Sequence, residues 1–206
     1  MNIKEELKSV IGMIKRNHDI SFFEDKEQYL DWLAQTYFFV VHSTSLLGYC
    51  LPHLKNQQLR YHFEHHLSEE SRHDLIVLKD LEKAGRHISD YQEYACTQAF
   101  YQSQYYRISF ENGTSLLGYI LFLEGIAVLW GGEVHQRIKT IHQHSDLFLK
   151  VHAQEDPAHL DSAIKVIHSL PVEEQKDILK NLYYSYEMYN EILNKIKASK
   201  AKKIAA

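Results

Sequence analysis

"SLLGYILFLEGIAVLWGGEVHQRIKTI", residues 115–141, contains the most apolar stretch of the chain, residues 116–130, and that stretch carries a single acid, Glu124. No period-2 alternation runs through it, and its uninterrupted length reads as a helix from 115 to about 142. The apolar part is too short and too interrupted for a membrane span, which takes about 20 apolar residues, so a core helix is expected. An ionised carboxylate in such a helix is costly unless it is paired, hydrogen-bonded or bound to a metal. Glu124 needs a partner.

The rest of the chain has the same character. Only 8 glycines and 3 prolines occur in 206 residues, so long helices are expected throughout. Periodicity and breakers give about seven helices and no strand. They run over residues 2–16, 25–50, 56–84 with Gly85 as the stop, and 89–107. The turn "ENGTS" follows, with Thr114 or Ser115 as cap for the apolar helix. A sixth helix opens at Ser145, and Pro171 starts the seventh. The end "KASKAKKIAA", about 197–206, is expected to fray. The fold class is an all-α bundle forming one domain over residues 1–206.

Composition narrows the function. A net charge of −4 gives no electrostatic reason to expect nucleic acid or an anionic membrane as partner. Cys50 and Cys96 make no disulfide framework, and "MNIKEELKSV" lacks the apolar core of a signal peptide, so a reducing cytoplasm is expected. The unusual count is 14 histidines, which are neither good helix formers nor good core residues.

Two groups of these histidines share a spacing. "HHLSEESRH", residues 65–73, holds His66, Glu70 and His73; "HAQEDPAH", residues 152–159, holds His152, Asp156 and His159. Each reads His-x3-acid-x2-His, which on a helix stacks three side chains along about 10 Å of one face. Such a column is too tall for one ion but suits two ions about 4 Å apart that share the acid. His65 and Glu69 point off this face and read as surface. With Glu124, the candidate ligands are Glu70, His73, Glu124, His152, Asp156 and His159, with His66 as a possible addition. Nitrogen and oxygen donors without thiolate suit two iron ions, or manganese, rather than structural zinc. A ferritin-like four-helix site would need one more acid, and "WLAQTYFFVVHSTSLLGY" has none.

His152-x3-Asp156-x2-His159, preceded by Glu124 in an apolar helix and by Glu70-x-x-His73, resembles the haem-oxygenase-like di-iron oxidases and oxygenases. That superfamily shares its fold with thiaminase-II proteins and haem oxygenases. The resemblance implies a seven-helix bundle in which a non-haem di-iron centre activates dioxygen to oxidise a small amino-acid-like or fatty-acid-like substrate. A homodimer is usual for such folds. Two departures stand out: His66 occupies a position where some members carry glutamate, and Pro157 sits inside the second triplet, where it removes a backbone hydrogen bond. The alternatives are a metal-free, thiaminase-II-like hydrolase or binding protein, with Cys50 or Cys96 as possible nucleophile, and a haem-binding homologue using His42 and the "WGG" at 130–132.

Overall fold

The computed structural model describes residues 2–205, and the side chains of these apart from 155 and 202–205. Apolar runs become helices, and breaks fall where the backbone tightens or leaves the right-handed region. In chain order the helices are α1 (Ile3–Asn17), α2 (Ser21–Glu24), α3 (Lys26–Val40), α4 (Ser43–Cys50), α5 (Gln57–Glu69) and α6 (His73–Lys83). Then come α7 (Ala95–Phe110), α8 (Leu116–Ile126), α9 (Gly132–Ile138), α10 (Leu147–Ser169) and α11 (Val172–Ala205). A π-helical turn, Ala127–Gly131, joins α8 to α9 without a gap. No strand occurs among the described residues.

Several expected boundaries are corrected. The helix expected over 25–50 breaks after Val40, where the His42 N–H reaches back only three residues to the Phe39 carbonyl. That expected over 56–84 breaks at Arg72, whose φ of 74° is left-handed and cannot continue a helix. Neither break contains glycine or proline, so breaker counting could not find them. α7 starts later than position 89, because the His87 N–H donates to the Asp90 carboxylate and closes a separate 3-10 turn. Asn112, not Thr114 or Ser115, makes the side-chain cap before the apolar helix. The end expected to fray from about 197 is helical to Ala205.

α8 is the axis of the bundle and packs against α11, α10 and α1. Leu117, Leu121 and Phe122 on it are fully buried. The approach to α11 depends on Gly118, where an added Cβ would lie 2.2 Å from the Ile178 carbonyl oxygen and 2.7 Å from the Leu182 nitrogen. Both are backbone atoms, so any side chain at 118 would push the two helices apart. By length and composition alone, Gly113–Ile138 is apolar enough to cross a membrane, contrary to the expectation from its interruptions. Its most apolar window is 67% buried within the bundle, which supplies the apolar surroundings it needs. One core of buried residues extends from Ile3 to Ile196.

Candidate metal centre

Three segments bring the chemistry together. Asn56 caps α5 by accepting from the Gln58 and Leu59 N–H groups, which fixes the start of the helix that carries His66. The break at Arg72 then restarts the chain so that His73 is the first residue of α6 and Glu70 lies in the turn before it. The His66–Glu70–His73 column therefore does not lie along one helix. α10 runs past it, continuing through Pro157, so the expected disruption at the proline does not end the helix.

The two triplets face each other in opposite order. The His66 and His159 rings meet edge to face at 5.4 Å, and those of His73 and His152 at 5.1 Å. Glu124 reaches in from α8, its Oε1 3.5 Å from His66 Nε2. Two ligand clusters result: His66, Glu124 and His159 form one, Glu70, His73 and His152 the other, and within each the donor atoms lie within 4.8 Å of one another. Glu70 stands between them, with Oε1 3.9 Å from His66 Nε2 and Oε2 3.4 Å from His73 Nδ1. Asp156, 3% exposed, lies on α10 with its Oδ1 3.9 Å from His159 Nδ1, and it lines the same cavity as Glu70 and His152. The structure thus gathers all seven candidate residues, and His66 is as integral as the other six.

The two clusters differ in charge. Burial pushes the Glu124 carboxyl well above the usual carboxylate range, and repulsion from Asp156, Glu70 and Glu69 adds to it. Burial also pushes Glu70 up, but the hydrogen bond from His73 and the fields of His66, His73 and His152 outweigh it and bring it down to about 2. Burial pushes the His66 imidazole down and keeps it neutral, the form that ligates metal. The His152 Nδ1 lies 2.9 Å from the Phe148 carbonyl oxygen, which makes Nδ1 the donor and leaves Nε2 as the ligating nitrogen.

The donor set fits a bound cation. Glu124 is 6% exposed, and its Oε2 is buried without a hydrogen-bond partner. An orphaned carboxylate oxygen next to two imidazoles is what a cation would satisfy.

Two residues near the site were missed. Glu69, read as surface, has its Oε2 3.4 Å from His159 Nε2 as well as 3.0 Å from His65 Nδ1. His62, one turn before His66, stacks parallel to it at 6.3 Å, and burial pushes its pKa down to about 4. Extending the period of four back from His66 would have found His62, and Glu69, the last residue of α5, lies three residues after His66 and so borders the same helical face. Other candidates lie apart from the clusters. Cys50 is buried, its thiol donates to the Gly113 carbonyl, and burial pushes its pKa up to about 12, which makes it unreactive. His42 stacks on Tyr101 with ring centres 4.0 Å apart.

An apolar cavity of about 100 Å³ opens onto Glu70, His152 and Asp156, and Trp130 and Gly131 of the π-helical turn form part of its wall. A smaller one of about 50 Å³ lies on the other side of Glu70, bordered by His66, Glu124 and Tyr119. π-Turns inside α-helices are frequent at functional sites.

The fold and this site define an all-α protein of the haem-oxygenase-like class. Two solved structures share the fold over nearly the whole chain. A domain of unknown function with a heme oxygenase-like fold from Shewanella denitrificans OS217 superposes with a TM-score of 0.86 at 17% identity, over 97% of this chain and 92% of that one. A TenA homolog from Pseudomonas syringae pv. tomato DC3000 superposes with a TM-score of 0.75 at 14% identity, over 94% and 92% of the two chains. No curated protein matches the chain at a significant level. Residues 30–190 match the iron-containing redox enzyme family, and the chain belongs to that family.

Proposed function

We propose that the chain is a non-haem di-iron oxidase or oxygenase that uses dioxygen to oxidise a small substrate held in the apolar cavity. The observation that carries this reading is the buried, unpartnered oxygen of Glu124 beside His66 and His159. Membership of an iron-containing redox family supports iron over manganese. His66, Glu124 and His159 would hold one ion and Glu70, His73 and His152 the other, with Asp156 adding a buried carboxylate beside His159. Two such ions, when bound, supply the electrons that activate dioxygen. The protein contributes the His66 imidazole, which burial keeps neutral, an apolar cavity, and Glu70, which stays ionised to hold positive charge. A cysteine hydrolase on the same fold has less support, since burial raises the pKa of both thiols.

The test is iron stoichiometry. Purified protein loaded anaerobically with Fe(II) should bind about two equivalents. The double variant His152→Ala, His159→Ala removes one imidazole from each cluster and should bind almost none. Unchanged iron binding in a folded double variant would sink the assignment.

A further inference from the structure

The cavity wall says what kind of molecule can sit beside the clusters. Its lining includes Phe23, Phe39, Trp130 and Phe148 and, among the described residues, no lysine or arginine; the acidic residues that reach it are the candidate ligands Glu70 and Asp156. Among its polar side chains, Trp32 Nε1 donates to the Tyr189 hydroxyl at 2.8 Å, so that donor is already used inside the wall. Thr36 differs. It is 2% exposed, and its hydroxyl is buried with no hydrogen-bond partner. An unsatisfied hydroxyl in an apolar wall is unfavourable unless a ligand meets it.

We infer that this cavity takes a chiefly hydrocarbon molecule with a single polar group, that Thr36 hydrogen-bonds that group, and that free amino acids are rejected. The inference rests on the di-iron reading, within which it selects among substrate classes. A zwitterion needs partners for both charges. A metal ion could meet its carboxylate, but the ammonium would face aromatic rings or draw Glu70 and Asp156 away from the metal, and both outcomes are costly. A fatty or alkyl body loses nothing on entering and removes apolar surface from water. The enclosed space is comparable to a dry engineered cavity of about 150 Å³ that accepts benzene, so the buried part of the ligand is about six carbon atoms.

The protein carries its own reporter, because its 2 tryptophans, Trp32 and Trp130, both line the cavity. Tryptophan emission is followed while full-length protein, metal-free and loaded anaerobically with Fe(II), is titrated with hexanol, hexanoic acid, benzene, leucine and phenylalanine. Hexanol and benzene should give saturable shifts in both forms, hexanoic acid a stronger shift in the iron-loaded form, and the amino acids none. Thr36→Val should weaken hexanol about tenfold, the worth of one hydrogen bond, and leave benzene unchanged. Benzene binding also reports that the variant's cavity is intact. Amino acids binding as well as hexanol would overturn the inference, as would equal hexanol affinity in wild type and Thr36→Val. Iron equivalents are counted on the same samples, so loss of the di-iron reading would appear there while the hexanol result stood by itself.

Discussion

The two clusters are built from the same two triplets, yet their acids behave in opposite ways. Glu124 comes from the middle of an apolar helix, where burial and three neighbouring carboxylates hold it protonated. Glu70 comes from a turn between helices and faces the His66 and His73 rings, so it remains ionised despite its burial. The contrast comes from position in the chain. A carboxylate on the most enclosed helix has few ways to be charged without a cation, whereas one in a histidine-rich turn is prepared for a cation in advance. The Glu70 cluster is thus ready to accept an ion, and the Glu124 cluster must first give up a proton.

The comparison can be broken most sharply by exchanging one acid at a time for its amide. Glu70→Gln should abolish both sites, taking iron from about two equivalents to nearly none, because Glu70 stands between the clusters and is their charged member. Glu124→Gln should lose about one equivalent and keep the other. Since Glu124 is already neutral in the metal-free protein, that variant should melt no lower than wild type without metal. Equal stoichiometry in the two amides would show that the acids are not divided as the geometry divides them.

Acidity gives a smaller effect with a definite sign. An ion entering the cluster of His66, Glu124 and His159 displaces the Glu124 proton, so affinity there falls on acidification by about tenfold per pH unit more than in the Glu70 cluster, one proton being the difference. The metal-free fold shows the reverse trend. Glu124 has a folded pKa raised above its unfolded value, so its contribution is full below the unfolded value and is lost as pH rises through the folded one. Wild-type metal-free protein should therefore lose melting temperature toward alkaline pH, and Glu124→Gln should flatten that slope. Iron titrations in which both equivalents weaken in parallel on acidification would remove the distinction between the clusters.

Much of this arrangement was legible in the sequence, and the missing parts share a cause. The all-α class, the core position of the apolar run around Glu124 and the set of seven residues follow from periodicity and from the cost of burying Glu124. The pairing was not legible. Reading residues 56–84 as one helix puts His66 and His73 on a single continuous face, whereas the left-handed turn at Arg72 divides them between clusters. That turn is made by an arginine, a residue type with no preference for positive φ, so residue type alone does not announce it. The apolar cavity was likewise hidden, because its wall draws on residues from Phe23 to Tyr189 that only the assembled bundle brings together.

The smallest effect concerns a residue that touches neither cluster. Asp80 on α6 is fully buried and accepts from the Phe148 N–H at 2.8 Å, which caps the first turn of α10 from a neighbouring helix. The carbonyl of the same Phe148 faces His152 Nδ1 at 2.9 Å, so the cap also sets where that imidazole points. Asp80→Ala should cost about 1–2 kcal/mol, lower the melting temperature by about 2–4 °C per kcal/mol, and weaken the ion at Glu70, His73 and His152 about tenfold. Asp80→Asn keeps an acceptor and should restore iron affinity. The amide also separates cap from charge: burial raises the Asp80 pKa to about 6, so the wild-type side chain loses stability as pH climbs from the ordinary carboxyl value through about 6, and the amide does not. If Asp80→Ala lowered the melting temperature but left both iron equivalents equally tight, the cap would serve the helix alone and the link from Asp80 through Phe148 to His152 would be broken.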